Sequence, residues 1–325
     1  MSKQPQSCPG YKTMIGGQAL LEGIMMLGPS KRAMVCRKPD GTLAMEVSDR
    51  KLIKDRYPIL GLPFLRGVVG FGSSMANGVK ALMWSAEFYP EEEGTPQEPS
   101  KFDLWLEKKL GSEKALSVII TLAAVLGVAF SVGLFFVLPT LLTGGLLHFF
   151  PGFPLWGRNL LEGLCRIVIF LLYLFLCSRM KDIRRTFQYH GAEHKTIFCY
   201  EKGLELTVEN VRQQPRQHPR CGTSFLFVVI FLSILLSSIV FSFVELTHPF
   251  ARTGMHLLLL PFIVGLTYEI NRFVGGHDNL FCRLIRRPGL WLQNFTTFEP
   301  DDSMIEVGIA AFQAVLPEKQ GDDQW

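Results

Sequence analysis

Charged residues are scarce in this sequence. Only 19% of its 325 residues are Asp, Glu, Lys or Arg, and 48% are hydrophobic, whereas soluble domains usually carry about 25% charged residues. A chain that is disordered over most of its length is excluded, because so much apolar surface has to be buried in protein or in lipid. The net charge of +4 is also too small to indicate a nucleic-acid partner.

Paired cysteines are lacking as well. The seven cysteines are an odd number and are scattered along a long chain, which argues against a disulfide scaffold and indicates reduced thiols facing a cytoplasm. The chain also does not open with a basic region, a short apolar core and a small-residue cleavage site. We therefore expect no cleaved signal peptide.

Long apolar runs are prominent instead. Residues 118–142 are 25 residues without a charge, and residues 225–244 are 20. As a helix, the longer run would measure about 37 Å, which is enough to span a bilayer. Two further spans are predicted at 160–177 and 255–274, although length alone does not distinguish these two from buried helices of a soluble protein.

This pattern predicts a mainly α fold. We expect a polytopic helical membrane protein with about four transmembrane helices, plus a small cytoplasmic α+β portion built from the N- and C-terminal segments. The predicted regions are an N-terminal region (1–115), a transmembrane hairpin (116–177), a basic loop (178–223), a second transmembrane hairpin (224–274) and a C-terminal region (275–325).

The distribution of basic residues predicts the orientation. The basic loop carries nine Lys or Arg, whereas the flanking loops 143–159 and 245–254 carry one each. The positive-inside rule places the basic loop in the cytoplasm, and four spans then place both termini there too. We therefore expect a multi-pass protein of the cell membrane, with the lipid bilayer as a partner and anionic lipids bound at the basic loop.

The N-terminal region differs from the rest of the chain. Residues 38–42 are a turn signal between two β-like runs, 32–37 and 43–47, which predicts a β-hairpin. Residues 59–86 are apolar but contain two basic residues. We expect them to form one or two amphipathic helices in the membrane interface, with a re-entrant segment as the alternative.

A further helix is predicted near the other end of the chain. Ser303 and Glu306 have capping-box spacing, so a helix over 304–316 should begin directly after Ser303.

The basic loop contains a pattern that can carry chemistry. His190-Gly191-Ala192-Glu193-His194 is H-x-x-E-H, the inverted form of the zincin motif. On a helix, His190 and His194 share a face and can bind one zinc ion, with Glu193 beside it as a general base. Composition alone predicts roughly 0.01 such matches per chain, so the pattern is suggestive but does not establish catalysis.

A catalytic zinc ion requires a third protein ligand. The first candidate is Glu269, near the predicted cytoplasmic end of the fourth span, and the second is Glu201, on the same helix as the histidines. The third possibility is His218 with Cys221, just before the span at 225–244. Two of these candidates have a simpler interpretation: Cys221 as a small buried hydrophobe and Glu269 as the partner of Arg272.

The histidines themselves also have a simpler interpretation, as polar residues on a solvated helix or as contacts to lipid headgroups. A geometric condition separates the hypotheses. A straight helix after Cys177 would carry His194 about 25 Å beyond the membrane. The metal-site hypothesis therefore predicts a break or bend within 178–185.

Glu162 and Arg166 are ionisable residues within a predicted span. They are four residues apart and can neutralise each other. We favour a snorkelling pair near the outer interface, because both lie at the start of the span.

Several motifs together resemble a known family, the YqhQ-like bacterial membrane proteins. The resemblance covers nearly the whole chain in order. One departure is Phe298, where a basic residue is expected. The motifs are residues 15–26 (IGGQALLEGIMM), 189–196 (YHGAEHKT), 218–225 (HPRCGTSF), 268–270 (YEI) and 296–302 (TTFEPDD).

The resemblance implies a predicted metal-dependent enzyme whose function is unsettled. That description and the H-x-x-E-H pattern concern the same histidines, so they are not independent. The resemblance does make residues 15–26 a candidate functional element, because Gly16 and Gly17 permit positive φ and a close backbone approach, and Gln18 and Glu22 could act together. The alternative is a structural turn that leads into an apolar helix.

Two functions follow. The first is a membrane-embedded zinc-dependent hydrolase with its site at the cytoplasmic face, acting on a peptide bond or a lipid-linked group. The second is a non-catalytic scaffold or assembly factor that binds other membrane proteins, with a structural metal site as an option. Transport is a weaker third function, because few intramembrane polar groups are predicted.

Overall fold

The computed structural model describes most of the chain. It is mainly helical, with one four-stranded antiparallel sheet. For residues 112–117 and 120 it describes the backbone alone. The described residues are 11–50, 56–89, 112–150, 152–244, 246, 248–319 and 321–324.

The chain forms two compact units. The first contains the described residues of Met1–Tyr89, Tyr173–Ser233 and Leu260–Trp325, and the second contains those of Pro90–Leu172 and Ile234–Leu259. The first unit therefore joins parts of the N-terminal region, the basic loop and the C-terminal region.

The sheet is a meander in which each strand pairs with the next. The predicted hairpin is confirmed, because Arg37 pairs with Leu43 on either side of the turn at 38–42. The strands are β1 Gly16–Leu20, β2 Gly23–Leu27, β3 Lys31–Arg37 and β4 Leu43–Asp49.

The glycine-rich stretch 15–26 forms a second hairpin, which the sequence did not predict. The alternative of a turn that leads into an apolar helix is wrong, because β2 is hydrogen-bonded to strands on both of its edges. Its apolar residues Ile24, Met25 and Met26 are buried in the unit. Continuous apolar runs of this length occur in fully buried strands as well as in helices.

The helices are numbered in chain order. They are a 3-10 helix Pro58–Gly61, α1 Leu65–Ala86, α2 Ser112–Val132, a π-helical turn Gly133–Val137, α3 Leu138–His148, α4 Leu155–Arg179, α5 Lys181–Glu201, α6 Val208–Arg212, α7 Gly222–Phe243, α8 Pro249–Gly276, α9 Leu280–Thr296 and α10 Asp302–Gln313.

The sheet packs against α5 and α10 to form the core of the first unit. Ile24 and Val35 of the sheet meet Tyr189 and Ile197 of α5 and Phe312 of α10. Burying such a side chain contributes about 1.5–3 kcal/mol to stability. Residues 191–197 are all buried, so this half of α5 is a core helix and His194 does not lie on a solvated face.

Within the described residues, four helical stretches are long and apolar enough to cross a membrane, judged by length and composition. They agree with the four predicted spans. They are Thr121–His148, which combines most of α2 with the π-helical turn and α3, and then Leu155–Arg179, Gly222–Phe243 and Pro249–Gly276.

The predicted break before the histidines is present. Helix α4 ends at Arg179, and α5 begins at Lys181. Between them, Met180 has extended backbone angles, φ −70° and ψ 132°. The chain therefore changes direction where the metal-site hypothesis requires it.

The interpretation of Glu162 and Arg166 as a snorkelling pair is wrong. Their exposed fractions are 2% and 4%, and both contact other charged side chains of the second unit. Arg252, which was expected to lie in a loop, belongs to α8 and is 1% exposed. A buried partner on another helix allows a charge to lie within an apolar segment.

Helix α10 begins two residues earlier than expected. Its N-cap is Asp301, whose side-chain Oδ1 accepts a hydrogen bond from the backbone N–H of Met304 at 3.0 Å. The expected cap, Ser303, lies inside the first turn, and Glu306 forms an ion pair with Arg37. An aspartate at the N-cap also interacts favourably with the helix dipole.

Candidate metal centre

Helix α5 and the segment before α7 bring three metal-binding side chains together. His190 and His194 lie one turn apart on α5, with their ring centroids 4.3 Å apart. Cys221 lies against them, with its Sγ 3.1 Å from His190 Nε2. One ligand atom from each of the three residues lies within 4.8 Å of the other two. Of the third ligands considered from the sequence, the structure brings Cys221 to the histidines.

Both histidines are oriented by backbone carbonyl groups. His190 Nδ1 lies 2.8 Å from the carbonyl oxygen of Thr296, and His194 Nδ1 lies 2.6 Å from that of Arg216. A carbonyl oxygen can only accept, so each Nδ1 carries a proton, and Nε2 is the ring nitrogen left to bind a metal. Metal-binding histidines in proteins are held by such hydrogen bonds, which fix the tautomer and the ring orientation.

The surroundings of Cys221 favour its thiolate form. Burial alone would raise the pKa of this thiol, but the neighbouring His190 and His194 rings outweigh burial and hold the pKa well below its usual range. The backbone N–H of Thr223 also points at the sulfur, at 3.5 Å. The thiolate is the form of cysteine that binds metals.

The neighbouring Cys221 in turn affects the pKa of His190. Burial lowers the pKa of its imidazole, but the adjacent Cys221 and Glu193 raise it more, to about 9. The described residues therefore hold a thiolate beside an imidazolium. A metal cation binding to both groups would release the imidazolium proton.

Glu193 is buried beside this cluster, and only one of its two carboxylate oxygens has a hydrogen-bond partner among the described residues. Its Oε1 accepts a hydrogen bond from the backbone N–H of Gly17 at 2.8 Å. Its Oε2 is buried and has no hydrogen-bond partner among the described residues. Burial raises the pKa of this carboxyl group, although His190 and His194 oppose the change. A buried polar atom without a partner is uncommon and requires an explanation.

Gly17 explains part of the N-terminal motif. A Cβ at this position would collide with the carbonyl oxygen of Met25 and would lie 3.2 Å from the Cδ of Glu193. The expected close backbone approach is therefore present at Gly17. Gln18 and Glu22 do not act together, because Gln18 faces Gly78 and Glu22 forms an ion pair with Arg185.

Gly191, inside the H-x-x-E-H pattern, is also required by packing. A Cβ there would collide with the carbonyl oxygen of Phe298. The backbone N–H of Phe298 donates to the carbonyl oxygen of Phe187 at 3.0 Å. Residue 298 thus contacts α5 through its backbone, so the departure from the expected basic residue leaves this contact unchanged.

A glutamine that the sequence analysis did not single out holds the segment before Cys221. The amide of Gln293 accepts from the backbone N–H of His218 at 2.7 Å and donates to its carbonyl oxygen at 2.9 Å. Gln293 is fully buried. A polar residue on the apolar side of the amphipathic α9 is the signal that could have identified it.

Glu269 lies elsewhere in the first unit. Its carboxylate accepts hydrogen bonds from Arg66 Nε at 2.8 Å and from the backbone N–H of Phe64 at 3.0 Å. The arginine of α1 therefore occupies the carboxylate that was the first candidate for the third metal ligand. The alternative partner considered from the sequence, Arg272, does not form this ion pair.

Glu201 and His218 lie close to the centre but engage each other. The Glu201 carboxylate accepts hydrogen bonds from the backbone N–H of Thr13, at 2.8 Å, and from Arg220. His218 Nε2 lies 3.7 Å from Glu201 Oε2, and its ring centroid is 5.5 Å from that of His194. Burial lowers the pKa of His218 to about 4, so this ring is neutral near pH 7.

Comparison with known proteins identifies the family. A family model described as "Protein of unknown function (DUF1385)" matches residues 62–318. The chain is also 34% identical over 309 residues to the "Uncharacterized protein YqhQ" of Bacillus subtilis (strain 168), which covers 93% of this chain and 92% of that protein. The chain belongs to the DUF1385 family. The resemblance to YqhQ-like proteins is thereby confirmed.

The DUF1385 match contains His190, Glu193, His194 and Cys221, whereas Gly17 precedes the matched range. No solved structure matches the chain significantly. The DUF1385 description assigns no activity, so a function has to be argued from the geometry of the candidate metal centre.

Proposed function

We propose that this protein is an integral membrane protein with a zinc centre at its cytoplasmic face and that it is a hydrolase. His190, His194 and Cys221 would bind the metal, and Glu193 would act as the general base. One observation carries the proposal. Both histidines donate Nδ1–H to backbone carbonyl groups, at 2.8 and 2.6 Å, so that both Nε2 atoms are available beside a thiol.

The chemistry of the donor set favours zinc over the harder metals. Two imidazoles and a thiolate are nitrogen and sulfur ligands, whereas magnesium and calcium prefer oxygen. Three protein ligands are also the number found in catalytic zinc sites, which leave the fourth position for water or substrate.

The position of Glu193 supports the hydrolytic step. A bound zinc ion supplies a Lewis acid that makes water a nucleophile near neutral pH. The buried Oε2 of Glu193 has no partner among the described residues, and it would accept the proton of the attacking water. The same carboxyl group would then pass the proton to the leaving group as the scissile bond breaks.

The substrate class follows from where the centre lies. Cys221 directly precedes α7, a helix of 22 residues that is apolar enough to cross a membrane. A centre at the foot of such a helix would act on a peptide bond or a lipid-linked group presented at the membrane surface.

The distribution of charge supports the proposed orientation. Four of the nine basic residues of 178–223 belong to α5, and a fifth, Arg179, is the last residue of α4. The positive-inside rule then places the metal centre and both termini in the cytoplasm. Anionic lipids are the proposed partners of this basic surface.

Metal analysis of the purified full-length protein tests the proposal. We expect about one zinc ion per chain in the wild type and loss of the metal in His190→Ala. Glu193→Gln should retain the metal, because the proposal makes Glu193 a base rather than a ligand. His277→Ala, which removes an exposed histidine at the end of α8, is the matched control and should keep the wild-type content.

Two cysteine substitutions, one in the proposed centre and one outside it, extend the test. Cys221→Ser should lower zinc affinity by at least about 100-fold, since loss of an outer-shell partner alone usually costs 10–100-fold. Cys165→Ser changes another partly exposed cysteine and should have no effect. Wild-type protein without metal after careful preparation, or Cys221→Ser with unchanged affinity, would disprove the zinc centre.

A structural metal site in a non-catalytic scaffold is the second candidate. One observation favours it: the cluster connects α5 to the segment before α7 and, through the carbonyl oxygen of Thr296, to the end of α9. A metal ion here would tie three segments of the first unit together. Such a protein would assist the assembly of other membrane proteins.

Cobalt substitution separates the two candidates. A small thiol added to the cobalt protein should change the visible absorption spectrum if the fourth position is open, as the hydrolase requires. A spectrum that does not respond would indicate a closed site and would support the scaffold.

A further inference from the structure

A second group of ionisable side chains is buried in the second unit, separate from the metal centre. Glu162 and Arg166 lie on α4, and Arg252 and His256 lie on α8. Their exposed fractions are only 2%, 4%, 1% and 3%. Ionisable residues within membrane-length helices are energetically costly and often mark a functional site. These four residues are called the buried charge cluster below.

Glu162 holds the buried charge cluster together. Its Oε2 accepts hydrogen bonds from Arg252 Nε and Nη2 at 3.2 and 2.9 Å. Its Oε1 accepts from Thr140 Oγ1 at 2.9 Å and lies 3.1 Å from His256 Nε2 and 3.4 Å from Arg166 Nη2. A single carboxylate therefore serves two guanidinium groups and a histidine.

Positive charge exceeds negative charge in the described part of this unit. The described charged side chains are three arginines, at 158, 166 and 252, and one glutamate, Glu162. With the histidines neutral, three positive charges and one negative charge leave two positive charges. Charge imbalance at low dielectric is costly, and a bound anion would reduce it.

Two polar atoms without partners among the described residues of this place are N–H donors. Asn159 is 5% exposed, and its Oδ1 accepts from Arg252 Nη2 at 2.8 Å. Its Nδ2, however, is buried without a hydrogen-bond partner among the described residues, and so is Nε of the neighbouring Arg158. Two buried N–H donors without acceptors beside an excess of positive charge require an oxygen acceptor.

A cavity lies beside Arg158, one of these two residues. It has a volume of about 560 Å³, and its lining includes Thr140, His148, Arg158 and Pro249. Thr140 also donates to Glu162, and Arg158 directly precedes Asn159 in α4. A volume of this size accommodates a phosphate-bearing headgroup.

We propose that Arg158, Asn159 and the buried charge cluster form a binding site for a phosphate group. Arg158 donates to its oxygens from the cavity side, and Asn159 donates from the next position of α4. Arg252, whose guanidinium group is hydrogen-bonded to Glu162, contributes positive charge to the site. The phosphate belongs either to an anionic phospholipid or to free inorganic phosphate, and both sources present the same oxygens to the arginines.

Binding measurements on the full-length protein in neutral detergent test this site. After removal of co-purified lipid, native mass spectrometry is carried out with added phosphatidylglycerol and, separately, with inorganic phosphate. We expect one bound phosphate-bearing molecule per chain. Arg158→Gln and Asn159→Ala should each weaken binding about tenfold or more, because each removes a hydrogen bond to a charged group.

Two control variants distinguish loss of the phosphate contacts from a general loss of positive charge. Arg179→Gln removes one positive charge from the other end of α4 and should leave binding unchanged. Arg158→Lys keeps the charge without the planar guanidinium and should retain part of the affinity. Size-exclusion and thermal-unfolding profiles of each variant establish that it is folded.

The two sources give different outcomes. Binding of phosphatidylglycerol that millimolar inorganic phosphate does not displace assigns the site to a lipid headgroup. Saturable binding of inorganic phosphate alone assigns it to the free ion. Absence of stoichiometric binding in both arms overturns the proposal, as does equal binding by wild type, Arg158→Gln and Asn159→Ala.

Discussion

At Gly17 the polypeptide backbone itself contributes to the candidate metal centre. Its N–H group donates to Glu193, and the absence of a side chain lets β1 approach α5 this closely. This contact leaves Oε2 as the free atom of the carboxylate. The orientation of Glu193 is thus set by a glycine 176 residues earlier in the chain.

Replacement of Gly17 therefore has a specific expected effect. Gly17→Ala should destabilise the protein by about 1–3 kcal/mol, because the added methyl group collides with the Met25 carbonyl and crowds Glu193. Gly16→Ala is the matched control, since a Cβ at Gly16 meets nothing within 4 Å, and its effect should stay within about 0.5 kcal/mol. Thermal unfolding in detergent measures both, and equal stability of the two variants would contradict the account.

The side chains of the centre were easier to predict than their supports. His190 and His194 follow from a spacing that places them on one helix face, and Cys221 was among the candidates for the third ligand. The carbonyl groups of Thr296 and Arg216 could not be predicted, because every residue has a carbonyl group and the sequence carries no signal for its direction. The sequence therefore identifies the side chains of the centre, whereas the positions of the backbone groups are known only from the structure.

Helix α10 shows how an element boundary depends on one side chain. Asp301 and Ser303 both have residue types typical of an N-cap, and the sequence favoured Ser303 because Glu306 completes a capping box. The structure places the cap at Asp301, since the carboxylate of Glu306 pairs with Arg37 of β3 and is not available to the helix backbone.

The contributions of Asp301 and Ser303 to the start of α10 can be compared by substitution. Asp301→Ala should destabilise the protein by about 1 kcal/mol, because the backbone N–H of Met304 loses its acceptor. Ser303→Ala should cost less, because it removes only the hydroxyl that bonds to Asp301 on the surface. Chemical denaturation of both variants provides the measurement, and a larger loss for Ser303→Ala would restore the capping box as the helix start.

The long helices were predicted well, because an uncharged run of about 20 residues is a strong signal. The start of α8 was predicted less well. Arg252 interrupts the apolar run, so the span was expected to begin at residue 255, whereas α8 begins at Pro249. Arg252 forms an ion pair with Glu162 on α4, and a partner on another helix does not appear in the local sequence.

For the whole molecule, the proposed topology makes a direct prediction. Alkaline phosphatase fused after residue 153, between α3 and α4, should be active because this loop is expected outside the cytoplasm. The same enzyme fused after residue 203, at the end of α5, should be inactive, and a fluorescent protein fused there should fluoresce. Activity of the phosphatase at residue 203 would place the basic loop outside and would reverse the assigned orientation.

The sheet is the part of the architecture that the sequence predicted least. The hairpin of β3 and β4 was expected because its turn has the usual residues, whereas for β1 and β2 the only structure considered was a turn that leads into a helix. Neither periodicity nor length separates a five-residue buried strand from a helical turn. The pairing partner, which only the fold supplies, decides between them.

The carbonyl of Thr296 that orients His190 comes from 106 residues later in the chain. During synthesis, α5 and its histidines leave the ribosome well before α7, α8 and α9 have been made. Until residue 296 is added and α9 has folded back, His190 lacks the group that fixes its tautomer. Metal binding would therefore be one of the last steps of biogenesis. A centre that holds its metal would indicate that the last long helix has been completed and correctly placed.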